Sequence, residues 1–457
     1  VIRGALAEAV VTMLAVVATL AMVALIAPEP GPLVLGAMLC LSLSRSQLER
    51  DRRGRVEAGV VLPVIGLAAA GVGTLLIAVP VAGAIVYVLG LSLSIWLRRF
   101  GELPRRIGAL IALPFIALLV APAPLPQHST GPFAGLAWLV PVLVSLLAFA
   151  FVTVFQLGAQ ALHVLPRAET RDPAAPAQGI ERSPLDPTTK LALQMALSLA
   201  LAFAVGLVFF ADRWAWIVLT VAVVAIGNTG RADVLYKGVQ RLLGATAGTV
   251  LALVPLVHLD APSAGAIALL LGAVFFAVLL RRFGYIWWTL FITLALALLQ
   301  GFTPAADGAD GVFLLTERLE EIVLGTAIAL VVAWFVLPLR SENTIRRRVG
   351  GVLVALQARA GERTPETDLG LRKALAQLGR SSAPYDVWNR VGQRLPRPRA
   401  ARWISTVREC VELGRDAATP EARRALGEAR RALREPEQLQ GALERLRTAL
   451  EAGRGPT

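Results

Sequence analysis

Apolar residues gather along the chain in long runs separated by short polar stretches. The runs fall near 4–27, 31–43, 58–80, 81–97, 107–120 and 131–156. After a polar, Pro-rich interval they resume near 191–211, 213–226, 240–259, 263–280, 284–300 and 319–339. They lack the period of two that marks a half-buried strand, and Ala and Leu dominate them, which favours helix. A backbone in hydrocarbon must satisfy its own hydrogen bonds, and a helix does so locally. The pattern predicts an all-α, polytopic membrane protein with about twelve transmembrane helices in two sets of six. A full span needs ~20 residues. The runs 31–43 and 213–226 are shorter, and they hold the same place in both sets. Either they are re-entrant segments, or they extend into their flanks and join the bundle.

The polar intervals set an orientation. Arg45, Arg50, Arg52, Arg53 and Arg55 follow the second run, and Arg98, Arg99, Arg105 and Arg106 the fourth. Arg167, Arg171, Arg182 and Lys190 follow the sixth, Arg231, Lys237 and Arg241 the eighth, Arg281 and Arg282 the tenth, and Arg340 and Arg346–Arg348 the twelfth. The opposite intervals, near 28–32, 79–82, 121–130, 258–263 and 301–311, hold no Lys or Arg. Arg213, beside Asp212, is the exception. Positive loops stay on the cytoplasmic side, so both termini are expected in the cytoplasm and the protein in the inner membrane. The first run reads as a retained helix rather than a cleaved leader.

The two sets resemble each other. LRRFG at 97–101 recurs at 280–284, and Glu8 and Thr12 stand where Gln194 and Ser198 stand, 186 positions later. Six helices per set restore the orientation, so the halves are expected to be parallel six-helix repeats, an organisation found in transporters. The expected domains are a first repeat at 1–160, a cytoplasmic linker at 161–189, a second repeat at 190–340 and an amphipathic helical cytoplasmic region at 341–457.

Composition narrows the classes. Hydrophobic residues are 56% of the chain and charged residues 17%, below the roughly 25% of soluble domains. Positions 340–457 carry 24 Lys and Arg against 14 Asp and Glu, which is +10 of the net +13. Charge alone, without a motif, argues against nucleic acid as a partner. Cys40 and Cys410 lie too far apart in character and sequence to suggest a disulfide framework or a metal site. No GxxxxGK[ST], HExxH, GxSxG or CxxC occurs, so neither catalysis nor a cofactor is expected. In the tail, helical stretches are expected near 344–361, 367–380, 400–415 and 418–452, with Pro384, Pro396 and Pro398 marking a linker. Leu426, Leu433, Leu439, Leu443, Leu446 and Leu450 recur among Arg and Glu as in amphipathic helices. Their positive surroundings favour anionic lipid.

Five residues stand out as candidate substrate-binding groups: Glu8, Gln194, Ser198, Arg231 and Arg241. Glu8 is an ionisable residue in a membrane segment and suits proton coupling, or it marks a helix end at headgroup depth. Gln194 and Ser198 either bond a ligand or join helices. Arg231 and Arg241 offer planar forks for a carboxylate, with Asp233 available to hold one of them; anchoring by the positive-inside rule is the alternative. Gly244 and Gly248, with Gly66, Gly71 and Gly73 in the first half, suit close helix packing. Arg318 and Glu321 read as an intrahelical pair at a membrane edge, with an extracytoplasmic gate as the alternative. Trp214 and Trp216 belong to the aromatic belt or form a stacking surface for an aromatic ligand.

Three stretches resemble the fusaric acid resistance family, whose members include bacterial aromatic acid exporters: GNTGRADVLYKGVQRLLGATAGTVLALV at 227–254, LLRRFGYIWWTLFITLALALL at 279–299 and ERLEEIVLGTAIALVVAWFVLPLR at 317–340. Arg241, Gly244 and Gly248 match one family element; Arg318, Gly325, Trp334 and Pro338 match another. The first-half counterpart, ERDRRGRVEAGVVLPVIGLAAAGVG, is degenerate. The resemblance implies export of organic anions such as aromatic carboxylates; with no ATP-hydrolysing segment in the sequence, the proton gradient is the expected driver. The expected partners are membrane lipids and a small organic anion, and a periplasmic adaptor and a homo-oligomer fit the same reading. An anion channel, or a structural membrane protein recruiting a partner through its cytoplasmic helices, are the alternatives.

Overall fold

The computed structural model describes residues 2–48, 52–120, 138–165, 186–211, 213–228, 230–258, 263–301, 311–338, 341–391, 398–414 and 419–453. The expected site and domain residues among 121–137, 166–185, 302–310 and 392–397 lie outside the described residues, as do Asp212 and Thr229. The described residues are helical almost throughout and divide into two compact units.

The first unit holds the apolar helices α1 (Ile2–Ile26), α2 (Pro30–Leu48), α3 (Arg52–Ala78), α4 (Pro80–Trp96), α5 (Glu102–Val120), α6 (Leu139–Ala161), α7 (Pro187–Phe209), α8 (Trp214–Ala225), most of α9 (Arg231–His258), α10 (Ala264–Leu280), α11 (Tyr285–Gly301) and α12 (Gly311–Phe335). Six of them, α1, α3, α4, α5, α6 and α7, are long and apolar enough to cross a membrane. Helices α2, α8, α10 and α11 contain shorter apolar stretches. Helices α9 and α12 are long but carry charges early, Arg231, Asp233, Lys237 and Arg241 in one and Glu317, Arg318, Glu320 and Glu321 in the other. Pro63, Pro114 and Pro255 sit inside α3, α5 and α9 without ending them, which neighbouring helices make tolerable.

The two short runs part ways. α2 extends to Leu48 and packs on α1, α5 and α6, so that run does lengthen into its flank. α8 stays at 12 residues, about 18 Å of helix. It cannot span alone, yet Ile217–Ala222 and Val224 are buried against α7, α12 and α5. It is an inner element of the bundle.

Helix neighbours recur between the halves. α1 packs on α2 and α6, and α7 packs on α8 and α12; α4 lies on α5, and α10 on α11. The halves exchange contacts as well: α1 packs on α10, and α7 on α4. Non-glycine residues with left-handed backbone follow α6 and α12, His163 (φ 56°) and Leu337 (φ 47°). Glycines set two close approaches in the second half. A Cβ on Gly244 would meet the Ile286 carbonyl oxygen at 2.6 Å, and one on Gly248 would press on that of Leu290, so α9 and α11 touch backbone to backbone. In the first half Gly66 instead faces Ser145 on α6, and Gly71 meets nothing.

The second unit comprises residues 227–236 and the described residues from 338 onward. Helices α13 (Ser341–Gly361), α14 (Pro365–Val391), α15 (Arg399–Leu413), α16 (Pro420–Ala432) and α17 (Pro436–Ala452) enclose a core of Trp403, Leu353, Val407, Leu443 and their neighbours. The tail pattern of leucines is therefore an interior seam: Leu426, Leu439, Leu443, Leu446 and Leu450 are buried. Pro384 does not break the chain; it lies within α14. The expected stretch 418–452 is two helices, because Pro436 opens α17 after a turn at 433–435. Arg408 fastens α15 to α14 through Asp386 (2.8 Å) and the Ser382 hydroxyl (2.7 Å). Burial pushes the Cys410 thiol up to about 12, so it stays protonated and unreactive near neutral pH.

Candidate functional site

The five expected residues are not gathered in one place. Glu8, on α1, is 8% exposed and is gripped by Arg281 and, at 3.2 Å, by Arg282, both at the end of α10. Its backbone carbonyl accepts from the Thr12 hydroxyl at 2.7 Å. Gln194, on α7, donates to the Val336 and Leu337 carbonyl oxygens at 2.7 and 3.3 Å, satisfying acceptors that the end of α12 leaves open. Ser198, one turn on, is buried among the apolar residues of α7. Arg231 belongs to the second unit, where it and Asp233 lie near Tyr385, and where the Ala232 N–H donates to the Ser341 hydroxyl at 3.0 Å. Glu8 and Gln194 thus tie helices together.

Arg241 has a different setting. It lies on α9, one turn past Gly238, whose missing Cβ lets Thr326 of α12 approach. Its residue is 7% exposed, and its Nε has no hydrogen-bond partner. Arg318 on α12 is near enough to repel it. Gly325 brings α12 onto α8, with the Ile217 carbonyl oxygen 2.9 Å from where a Cβ would stand. Across that contact the Arg318 guanidinium covers the Trp216 ring at 3.8 Å, a cation–π contact. One turn further along α12, Glu321 is 2% exposed and its Oε2 is unpartnered. Arg213 pairs with Glu317 at 2.7 Å, which accounts for the one arginine that broke the loop pattern. Glu320 is exposed. Inside the bundle, then, the Arg318 guanidinium stands near both a second guanidinium, that of Arg241, and the Glu321 carboxylate. A buried cluster with surplus positive charge and open donors suits an anion.

Sequence reasoning passed over Arg318 and Glu321 as a pair within one helix. The partner that matters to Arg318 is Trp216, more than a hundred positions away, and only packing of α8 on α12 joins them. The same contact changes the role of Trp216, whose face is taken by a guanidinium. Trp214 tilts against Phe203, ring centres 5.4 Å apart. Among the described residues, no group of His, Cys, Asp and Glu is placed to hold a metal ion, and both cysteines are free.

A family model described as fusaric acid resistance protein-like matches residues 197–332. The chain therefore contains such a domain in part of its length, running from within α7 to within α12 and including Arg213, Trp216, Arg241, Arg318 and Glu321. No curated protein and no solved structure matches the chain.

Proposed function

We propose that the protein is a secondary transporter that exports organic anions, aromatic carboxylates among them, across the inner membrane. The observation that carries this reading is Arg241: a guanidinium inside an apolar helix bundle, with an unpartnered Nε, next to a second arginine and within the segment that is similar to the fusaric acid resistance proteins. Such a charge is costly to bury and is kept where an ion pathway or ligand uses it. Arg241 and Arg318 would receive the carboxylate, Glu321 would limit the surplus charge when the site is empty, and the apolar walls would take the rest of the solute. The remaining expectations fit as support: Glu8 and Gln194 hold the helices that frame the pathway, and Ser198 fills the α7 interior. The exchanged packing of α1 on α10 and α7 on α4 favours two parallel repeats whose relative motion alternates access. Both termini in the cytoplasm follow from the arginine-rich intervals.

The test is flux in proteoliposomes containing the full chain, with a panel of aromatic and aliphatic carboxylates and an imposed pH gradient. Accumulation that follows the gradient and collapses with a protonophore is the expected result. Equilibration without accumulation would replace the carrier with an anion channel. Unaltered flux in Arg241→Gln would remove the proposed site.

A further inference from the structure

A second buried arginine stands in the first half, 186 positions before Arg241 and outside the family match. Arg55 is the fourth residue of α3 and is only 8% exposed. Its Nη2 donates to Oε1 of Gln160 on α6 at 3.3 Å, and its Nε has no partner. That bond fixes the Gln160 amide so that Nε2 is the free end, and Nε2 is also unpartnered on a residue 7% exposed. One turn earlier on α6, Gln156 donates from Nε2 to the Ser44 carbonyl oxygen of α2 at 2.7 Å. Its Oε1 is therefore the free end, buried on a residue 2% exposed and again without a partner. Three side chains on neighbouring helices thus leave two donors and one acceptor open in the interior. Each such group costs about 1–3 kcal/mol if nothing meets it, so the grouping is expensive as pure packing.

The open groups have a definite chemistry. A guanidinium N–H and an amide N–H call for an oxyanion, and the adjacent amide oxygen calls for a hydroxyl. The apolar span of α3 begins at Gly54, so the cluster lies where hydrocarbon gives way to the headgroup layer.

We propose that Arg55, Gln156 and Gln160 form a binding site for a phosphate oxyanion that carries a neighbouring hydroxyl, the chemistry shared by a glycerol phosphate in solution and by a phosphatidylglycerol headgroup. The site is independent of the transport reading, because it uses none of the residues around Arg241. The phosphate oxygens accept from Arg55 Nε and Gln160 Nε2, and the hydroxyl donates to Gln156 Oε1.

The test uses the full chain purified in detergent. Calorimetric titration with glycerol 3-phosphate probes the soluble source, and native mass spectrometry after incubation with phosphatidylglycerol or phosphatidylcholine probes the lipid. The expected result is one equivalent bound by the parent chain, weakened ~10-fold or more in Arg55→Gln and unchanged in Gly71→Ala, where an added Cβ meets nothing. Gln156→Leu should lower preference for glycerol 3-phosphate over inorganic phosphate. Binding of the soluble probe identifies a free phosphate site; retention of phosphatidylglycerol alone, lost in Arg55→Gln, identifies a lipid site. Should Arg55→Gln fail to fold, Arg55→Lys keeps the charge and removes the planar fork, and it should weaken binding while the unfolding temperature holds. Equal binding of every probe by the parent and a folded Arg55 variant would overturn the proposal and leave Arg55 as a packing residue whose free groups meet water.

Discussion

Two seams of the helix bundle, α1 on α10 and α7 on α4, carry two chemistries. α1 leans on α10, and there Arg281 and Arg282 grip the Glu8 carboxylate. α7 leans on α4 in the same way, and there Arg99, lying over Trp96 and Phe100, donates to the Thr189 hydroxyl at 3.1 Å. The LRRFG segments serve both seams, but one closes on a charge and the other on a hydroxyl. The residue that matches Glu8, Gln194, has turned to the end of α12 instead. The difference teaches that helix packing tolerates wide change in the polar groups laid over it. Likeness of position is then no guide to likeness of role. Arg55 and Arg241 repeat the lesson: both are buried with a free Nε, yet one is bonded to a glutamine and the other stands near a second arginine.

The largest effect should come from the charged seam. Glu8→Gln leaves two arginines facing a neutral amide and should destabilise the membrane unit by about 3 kcal/mol, read as a fall in unfolding midpoint in detergent. If Thr189→Val costs as much, the two seams are energetically alike and the comparison fails. Next comes backbone contact. Gly248→Val forces a side chain against the Leu290 backbone and should cost about 2 kcal/mol, measured in the same way. Arg241→Gln should reduce organic-anion flux per folded molecule ~10-fold, while Arg55→Gln leaves flux within about twofold; equal losses would merge the two arginines into one function. Thr189→Val itself should cost about 1 kcal/mol, one ordinary hydrogen bond. The smallest change is at Gly71, which has open space: Gly71→Ala should stabilise by about 0.5 kcal/mol, the helix preference of alanine.

The helices were legible because hydrocarbon demands long apolar runs, and each run contributes to a helix, although α9 and α12 begin well before the runs that mark them, at Arg231 and Gly311. Limits appeared where neighbours decide. The runs that form α2 and α8 look alike in sequence, but one has a polar flank that continues the helix and the other is followed by Gly227, whose left-handed backbone (φ 78°) turns the chain. Pro384 reads as a break, yet α14 absorbs it, with Ser382 and Asp386 held by Arg408 around it. The 227–241 interval reads as a loop, whereas α9 is helical from Arg231 onward; Arg241 was visible in it as an arginine that could receive a carboxylate. Its near neighbour Arg318, and the Trp216 face beneath that, were hidden because long-range pairings leave no mark on either stretch alone. Glu8 stood out as a charge among apolar residues, but its partners lie some 270 positions away and give it a fastening role.

The seam between α1 and α10 also dictates an order of biosynthesis. When α1 leaves the ribosome, the guanidinium groups that will meet Glu8 have not been translated, and they arrive some 270 residues later. Until then that carboxylate must be held by water, lipid headgroups or a proton. α1 is therefore locked only long after it has been made, and an insertion chaperone would find its natural client in that waiting helix.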